Sequence, residues 1–364
     1  LAEAIKGIVA GNKPSVAQTM PIGCKLSGKV HEVSANSVTY DRDVAPLLLA
    51  HCAECHRAGE VAPFELLSYS DASKRADFIS EMVSQQKMPP WKAREGIGHF
   101  MGERVLNELD RQVIVDWAKN GTPEGSKEDL PPVPEFVAGW QLGEPDLVVK
   151  MQEAYPVYAS GNDINRFFVI PIDIPKDKYV VGVEFRPGNP RVVHHAILYL
   201  DRSGNARKRD LAEPGPGFEG FVATEVRGGG VLGFWAPGYT PRFYPEGIGQ
   251  KLYKNTDLAL QLHYHPSGKE ELDQSMVGIH FADKPIEKTV GGLALINFDV
   301  HIPANEPRHK MSHSFTTPVD LEIIDVTPHM HVIGTEMKVT ATLPDGRVLP
   351  LIHSNWDFNW QDVY

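Results

Sequence analysis

Leu258-Ala259-Leu260-Gln261-Leu262-His263-Tyr264-His265 alternates without a break. Leu258, Leu260, Leu262 and Tyr264 fall on one face of an extended chain, and Gln261, His263 and His265 on the other. The stretch is therefore expected to be a strand with one buried face. Short runs of the same kind occupy 179–185, 192–200, 321–326 and 336–343, separated by Gly, Pro, Asn and Asp. Such spacing predicts an all-β sandwich or jelly roll, with no short-period repeat.

Histidines recur in this β region in three groups. Beyond His263, the run from Arg191 to Tyr199 holds the adjacent pair His194-His195. Neighbours on a regular strand point to opposite faces, so both reach one metal ion only where the strand bends, bulges or ends. In Thr327-Pro328-His329-Met330-His331 the two imidazoles are expected on one face of a short strand, a spacing that suits chelation of one borderline metal ion. Taken singly, each group reads equally well as solvated or hydrogen-bonded histidines. Three of them in one β region favour a metal, with copper, zinc, iron and nickel all suited to imidazole.

Upstream of a polar, proline-stiffened linker at 126–134 (Pro131, Pro132, Pro134) the texture is helical. Helices are expected over 43–51, with Val44, Leu47 and Leu48 on one face, over 70–86, and over 107–120, where Gly121 ends the run. The first leads into Cys52-Ala53-Glu54-Cys55-His56, the attachment signature of a c-type haem. Two thiols add to the haem vinyl groups, and the adjacent imidazole becomes the proximal ligand of the iron. A zinc knuckle needs two more soft ligands, but the only other cysteine is Cys24, and a redox dithiol has no use for the histidine. An electron-transfer haem takes a second axial ligand. Met88, in Lys87-Met88-Pro89-Pro90-Trp91, is the leading candidate, ahead of Met82 and Met101. A one-electron haem donor in the same chain selects copper for the histidine sites, because copper also cycles by one electron.

The chain has 364 residues and a net charge of -11, which disfavours nucleic acid or an anionic membrane as partner. Hydrophobic content of 42% and charged content of 23% are ordinary for a globular protein, and no apolar run is long enough for a transmembrane helix. Residues 1–38 carry too little apolar content for a core of their own; 1–9 reads as one amphipathic helix and 20–24 as loop or edge strand. The opening on Leu1 suggests a processed or cropped product. Haem attachment to thiols takes place outside the bacterial cytoplasm, so a periplasmic or extracellular location is expected, with Cys24 an odd thiol there.

From residue 139 onward the chain resembles the copper type II, ascorbate-dependent monooxygenases, whose animal members include peptidylglycine alpha-hydroxylating and dopamine beta-monooxygenases. The resemblance rests on 260–264 with His194-His195, and on His329-Met330-His331. It implies an electron-transfer copper on His194, His195 and His263, and a catalytic copper on His329 and His331. His265 is left as a spare or substitute ligand. The whole chain resembles a bacterial fusion of redoxin, cytochrome c and monooxygenase, on Val38-Thr39-Tyr40, 87–91 and Asp357-Phe358-Asn359-Trp360. The resemblance implies a redoxin tail or extension at 1–38, an all-α cytochrome c domain at 39–125, a linker at 126–138, and β-sandwich copper domains at 139–290 and 291–364. The last is expected to be C-terminally incomplete. The family's second copper also takes a methionine, which would follow Tyr364; Met330 and Met337 are substitutes only on paper. The function implied is hydroxylation of a C–H bond of an organic substrate with O2, through covalent haem c and two copper ions, fed by an extracytoplasmic electron donor. The alternative is a non-catalytic electron-transfer or copper-binding cytochrome in an oligomer or redox assembly.

Overall fold

Alternation through residues 147–281 folds the chain into sheet. A computed structural model describes residues 38–137, 139–220, 226, 228–297 and 299–364. Cys24 and the segments read as helix at 1–9 and loop at 20–24 lie outside the described residues. Regular structure is mostly β-strand with few helices. Strands β1 (Leu147–Lys150), β4 (Lys178–Arg186), β8 (Ile248–Leu252), β11 (Met276–Phe281) and β12 (Lys288–Thr289) make one five-stranded sheet in the order β1-β11-β4-β8-β12. Strands β3 (Ile164–Pro171), β5 (Val193–Asp201), β6 (Phe218–Glu219), β7 (Gly228–Trp235) and β9 (Asp257–Tyr264) make the other, in the order β6-β3-β9-β5-β7. A short pair, β2 (Tyr155–Val157) with β10 (Glu271–Asp273), and a hairpin of β13 (Glu336–Thr342) and β14 (Val348–Asn355) complete the strands.

The two large sheets share one core, the arrangement of a β-sandwich. Val180, Phe185, Leu252, Val277 and Ile279 come to it from the first sheet, and Phe168, Leu198, Leu258, Leu260, Leu262 and Tyr264 from the second. β9 lies between β3 and β5 and is buried along its whole length. Its outer face is covered too: Ala259 packs with Phe167, Phe218 and Ala206 of a helix at Asn205–Ala212. Gln261 and His263 are therefore enclosed rather than solvated.

Among the described residues, four short helices precede the sheets: α1 (Ala45–His51), α2 (Tyr69–Ser73), α3 (Ala76–Ser84) and α4 (Glu108–Lys119), with a π-helical turn at Tyr40–Val44 before them. They share a separate core built on Tyr40, Leu48, Ile79, Val83, Ile114 and the fully buried Trp117. Asn107 caps α4 by accepting the Asp110 N–H at 2.9 Å. The single helix expected over 70–86 is two. Arg75 leaves the helical region at φ -124, which lets Ala72 and Ala76 on either side of the bend both reach the core. In the linker, the described residues are mostly exposed and form one 3-10 turn at Lys127–Asp129.

The strand expected over 321–326 does not form. Backbone N–H and C=O groups of a strand need a neighbour, and among these residues Val326 finds one, in reciprocal bonds of 2.9 and 3.1 Å with Tyr364. Leu321 and Ile323 stay exposed. Among the described residues, the β13–β14 hairpin is the one sheet element beyond residue 290.

Candidate metal centre

Three imidazoles converge at one end of the outer face of the second sheet. His263, near the end of β9, stands directly across the ladder from His195 on β5. His194 joins them through a bulge. Val193 pairs with Tyr264 and His195 with His263, so one step on β9 answers two on β5 and His194 is the extra residue. Parity shows the consequence: Val193 and Ala196 both enter the sandwich core although they are an odd number of residues apart. The reversal between them turns both histidines to the same side, as the sequence required for a shared ion.

The three Nδ1 atoms form a nearly equilateral triangle. His194 to His263 is 3.1 Å, His194 to His195 3.2 Å and His263 to His195 3.3 Å. Nitrogens bound at about 2.0 Å to one tetrahedral ion stand about 3.3 Å apart, so the triangle fits a common metal ion and leaves a coordination position open. Burial pushes His194 down to about 4 and His195 down to about 2, with the neighbouring His263 adding to both. The rings are neutral near pH 7 and present lone pairs. Their chemistry, three imidazoles, two buried and one half-buried, without thiolate or carboxylate, is that of a site for copper, zinc or another imidazole-loving ion.

One carboxylate fixes the tautomer. Asp163, just ahead of β3, accepts from His263 Nε2 at 2.8 Å and from the exposed His265 Nδ1 at 2.7 Å. The His263 proton is thereby held on Nε2 and its Nδ1 lone pair faces the centre. Burial alone would raise Asp163, but the hydrogen bonds from His265 and His263 hold it below the usual carboxylate range. Asp163 was not legible in the sequence, because it lies 100 residues from its partner. His265, left over in the sequence, supports that carboxylate from outside. Below the site, Tyr264 is fully buried and donates to Asp273 at 2.8 Å; the Asn189 N–H donates to the same carboxylate, also at 2.8 Å. This anchors the loop that enters the bulge.

Aromatic rings cover the imidazoles. Phe358 stacks on His194 at 5.3 Å and meets His263 edge-on at 6.0 Å, while Phe234 of β7 stacks on His195 at 5.9 Å. His329 comes close as well, its ring centre 6.3 Å from that of His195 and 5.5 Å from that of His331. Gln361 holds this side together: its Oε1 accepts from His329 Nδ1 at 2.9 Å and its Nε2 donates to Phe358 O at 3.2 Å. His329 and His331 are exposed and lie on irregular chain, not on the strand expected for them. Without a ladder partner, no pleat fixes which way the two rings point.

The thiol motif follows α1. Cys52 closes that helix, the His56 N–H donates to Cys52 O at 2.9 Å, and both thiols are free and half-buried. Burial pushes Cys52 up to about 12 and Cys55 up to about 11. His56 is buried, and its Nδ1–H donates to Phe64 O at 3.0 Å, which leaves Nε2 as the free lone pair. Met88 is half-buried in the turn after α3, Met82 is half-buried within α3, and Met101 is exposed. Among the described residues, no helix is long and apolar enough to cross a membrane. In comparisons with known proteins, no family model and no curated protein matches this chain.

Proposed function

We propose that this chain is an extracytoplasmic copper-dependent monooxygenase with its own c-type haem, in the mould of the fusion it resembles. The observation that carries the reading is the triangle of His194, His195 and His263 nitrogens, sized for one ion and locked by Asp163. Copper there would pass single electrons supplied by a haem on Cys52 and Cys55, and copper on His329 and His331 would supply the chemistry towards dioxygen. The reaction class is hydroxylation of a C–H bond, consuming O2, two electrons and two protons and releasing water.

The protein's own groups hold, orient and shield. His194, His195 and His263 present neutral lone pairs, Asp163 sets the tautomer, and Phe234 and Phe358 keep water off the rings. His56, with Nδ1 committed to Phe64 O, is oriented as a proximal ligand, and Met88 is the proposed distal one. His329 and His331 would hold the second copper, close beside the first group. Residues 39–125 are the proposed cytochrome module, and 139–290 and 291–364 the two copper modules.

A second reading has one observation in its favour. Two exposed imidazoles on irregular chain make a poor catalytic centre, as in a protein that transfers electrons without turnover. Metal analysis after copper loading, joined to oxygen uptake with a reductant and a panel of small organic substrates, decides between them. Substrate-dependent oxygen uptake with hydroxylated product supports the monooxygenase; copper and haem reduction without uptake overturns it.

A further inference from the structure

The short stretch 358–362 touches three parts of the molecule at once. At one end the ring of Phe358 stacks on His194 at 5.3 Å and meets His263 edge-on at 6.0 Å. In the middle Gln361 accepts from His329 Nδ1 at 2.9 Å and donates to Phe358 O at 3.2 Å. At the other end Asp362 is buried and pairs with Arg104. The stretch is held on both sides: the Trp360 N–H donates to Asp357 O at 3.0 Å, and Tyr364 exchanges backbone bonds of 2.9 and 3.1 Å with Val326.

Arg104 carries the contact on to the thiol motif. Its Nη1 donates to Gly238 O at 2.9 Å, and its guanidinium lies 5.5 Å over the Trp91 ring. A Cβ on Gly238 would come to 3.9 Å from Arg104 Nη2 and 4.0 Å from Cys55 Sγ, so this glycine and the guanidinium border the second cysteine of the motif. In the haem reading that sulfur is a thioether, bonded to the macrocycle through what was a vinyl group. Cys55, Arg104, Asp362 and Phe358 thus form a run of van der Waals, hydrogen-bonded and covalent links that ends on a ligand of the first copper site.

We infer that this run is the electron bridge from the haem on Cys52 and Cys55 to the copper site at His194, His195 and His263, with Arg104 and Phe358 as its positioning residues. The inference rests on the haem and copper reading above and adds the residues that connect the two centres. Electron tunnelling falls off more slowly along covalent and hydrogen bonds than across open gaps, and links held in one geometry need no rearrangement before transfer. The step moves one electron and no atoms: ferrous haem becomes ferric, and Cu(II) on the three histidines becomes Cu(I). Removing one partner of a buried ion pair leaves an uncompensated charge. Arg104→Lys avoids this, because it keeps the charge and gives up only the two-armed contact.

The test uses the full chain with haem attached and Cu(II) loaded, without oxygen. A photoreductant flash reduces the haem; absorbance follows its reoxidation, and freeze-quench electron paramagnetic resonance follows loss of the Cu(II) signal. Arg104→Lys and Phe358→Leu are each expected to slow haem reoxidation several-fold, with the copper stoichiometry and the midpoint potentials of both centres unchanged. Arg94→Gln removes the ion pair with Glu336, which also joins the helical region to the β13–β14 hairpin but lies off the bridge, and should leave the rate unchanged. The parent rate retained in both Arg104→Lys and Phe358→Leu, or equal slowing in Arg94→Gln, overturns the bridge and leaves the haem and copper reading standing. A parent protein that carries both groups and passes no electron between them overturns the electron supply in that reading, and this inference with it.

Discussion

The two histidine groups use the same residue type, yet the fold treats them oppositely. His194, His195 and His263 sit on paired strands, where ladder register fixes each ring and a bulge brings the third into line. His329 and His331 lie at the surface on chain that forms no strand, and His329 leans on Gln361. Spacing nominates ligands, but a neighbouring strand turns them into a preorganised site.

The contrast is broken most directly by His263→Ala. One tightly bound copper should disappear, read by metal analysis, while haem attachment stays intact; unchanged stoichiometry would move the assignment to His265. Copper titration of the parent protein should then show a second equivalent about 100-fold weaker than the first or absent, since two imidazoles on exposed, irregular chain chelate less well than three held by paired strands. Two equivalents of equal strength would mean that another residue completes the second site.

Asp163→Asn keeps the size of the side chain but no longer holds the His263 proton electrostatically. It should weaken the first copper by about 10- to 100-fold, whereas His265→Ala should have a much smaller effect. In metal-free protein the buried rings give a pH signature. Unfolded histidines take up protons below about pH 6.5, but folded His194 and His195 resist down to about 4 and about 2. The unfolded state then binds more protons, so stability falls as pH drops below about 6.5 and goes on falling towards the folded values. Urea midpoints at pH 7 and pH 5 should differ in that direction, and less so in His195→Ala. The smallest effect sharpens the role of the scaffold. Tyr264→Phe strips a donor from the buried Asp273 carboxylate and should cost about 1–3 kcal/mol by denaturant titration, with copper binding retained.

Much of the first site was legible because period-two patterning carries face information. Leu258, Leu260, Leu262 and Tyr264 enter the core and His263 points away from it, as their alternation implied. The condition on His194 and His195, a bend or bulge, followed from geometry alone and the ladder meets it. What escaped notice is long-range: Asp163, Gln361 and the cover by Phe358 depend on chain crossings that no local pattern records. The strand readings at 321–326 and at His329 failed for a related reason. Alternation is a property of a segment, but a strand is a property of a pair, and outside the Val326–Tyr364 bridge these stretches gain no ladder.

The bulge at His194 also means that the site is written in the length of β5 as much as in its residues. Deleting a single position there would heal the ladder against β9, restore strict alternation and strengthen the pairing of the two strands. The same deletion would rotate one ligand out of the triangle. A sheet improved by every measure of regularity would thus be a sheet that had lost its candidate metal site, and pressure on this segment runs against insertions and deletions before it runs against substitutions.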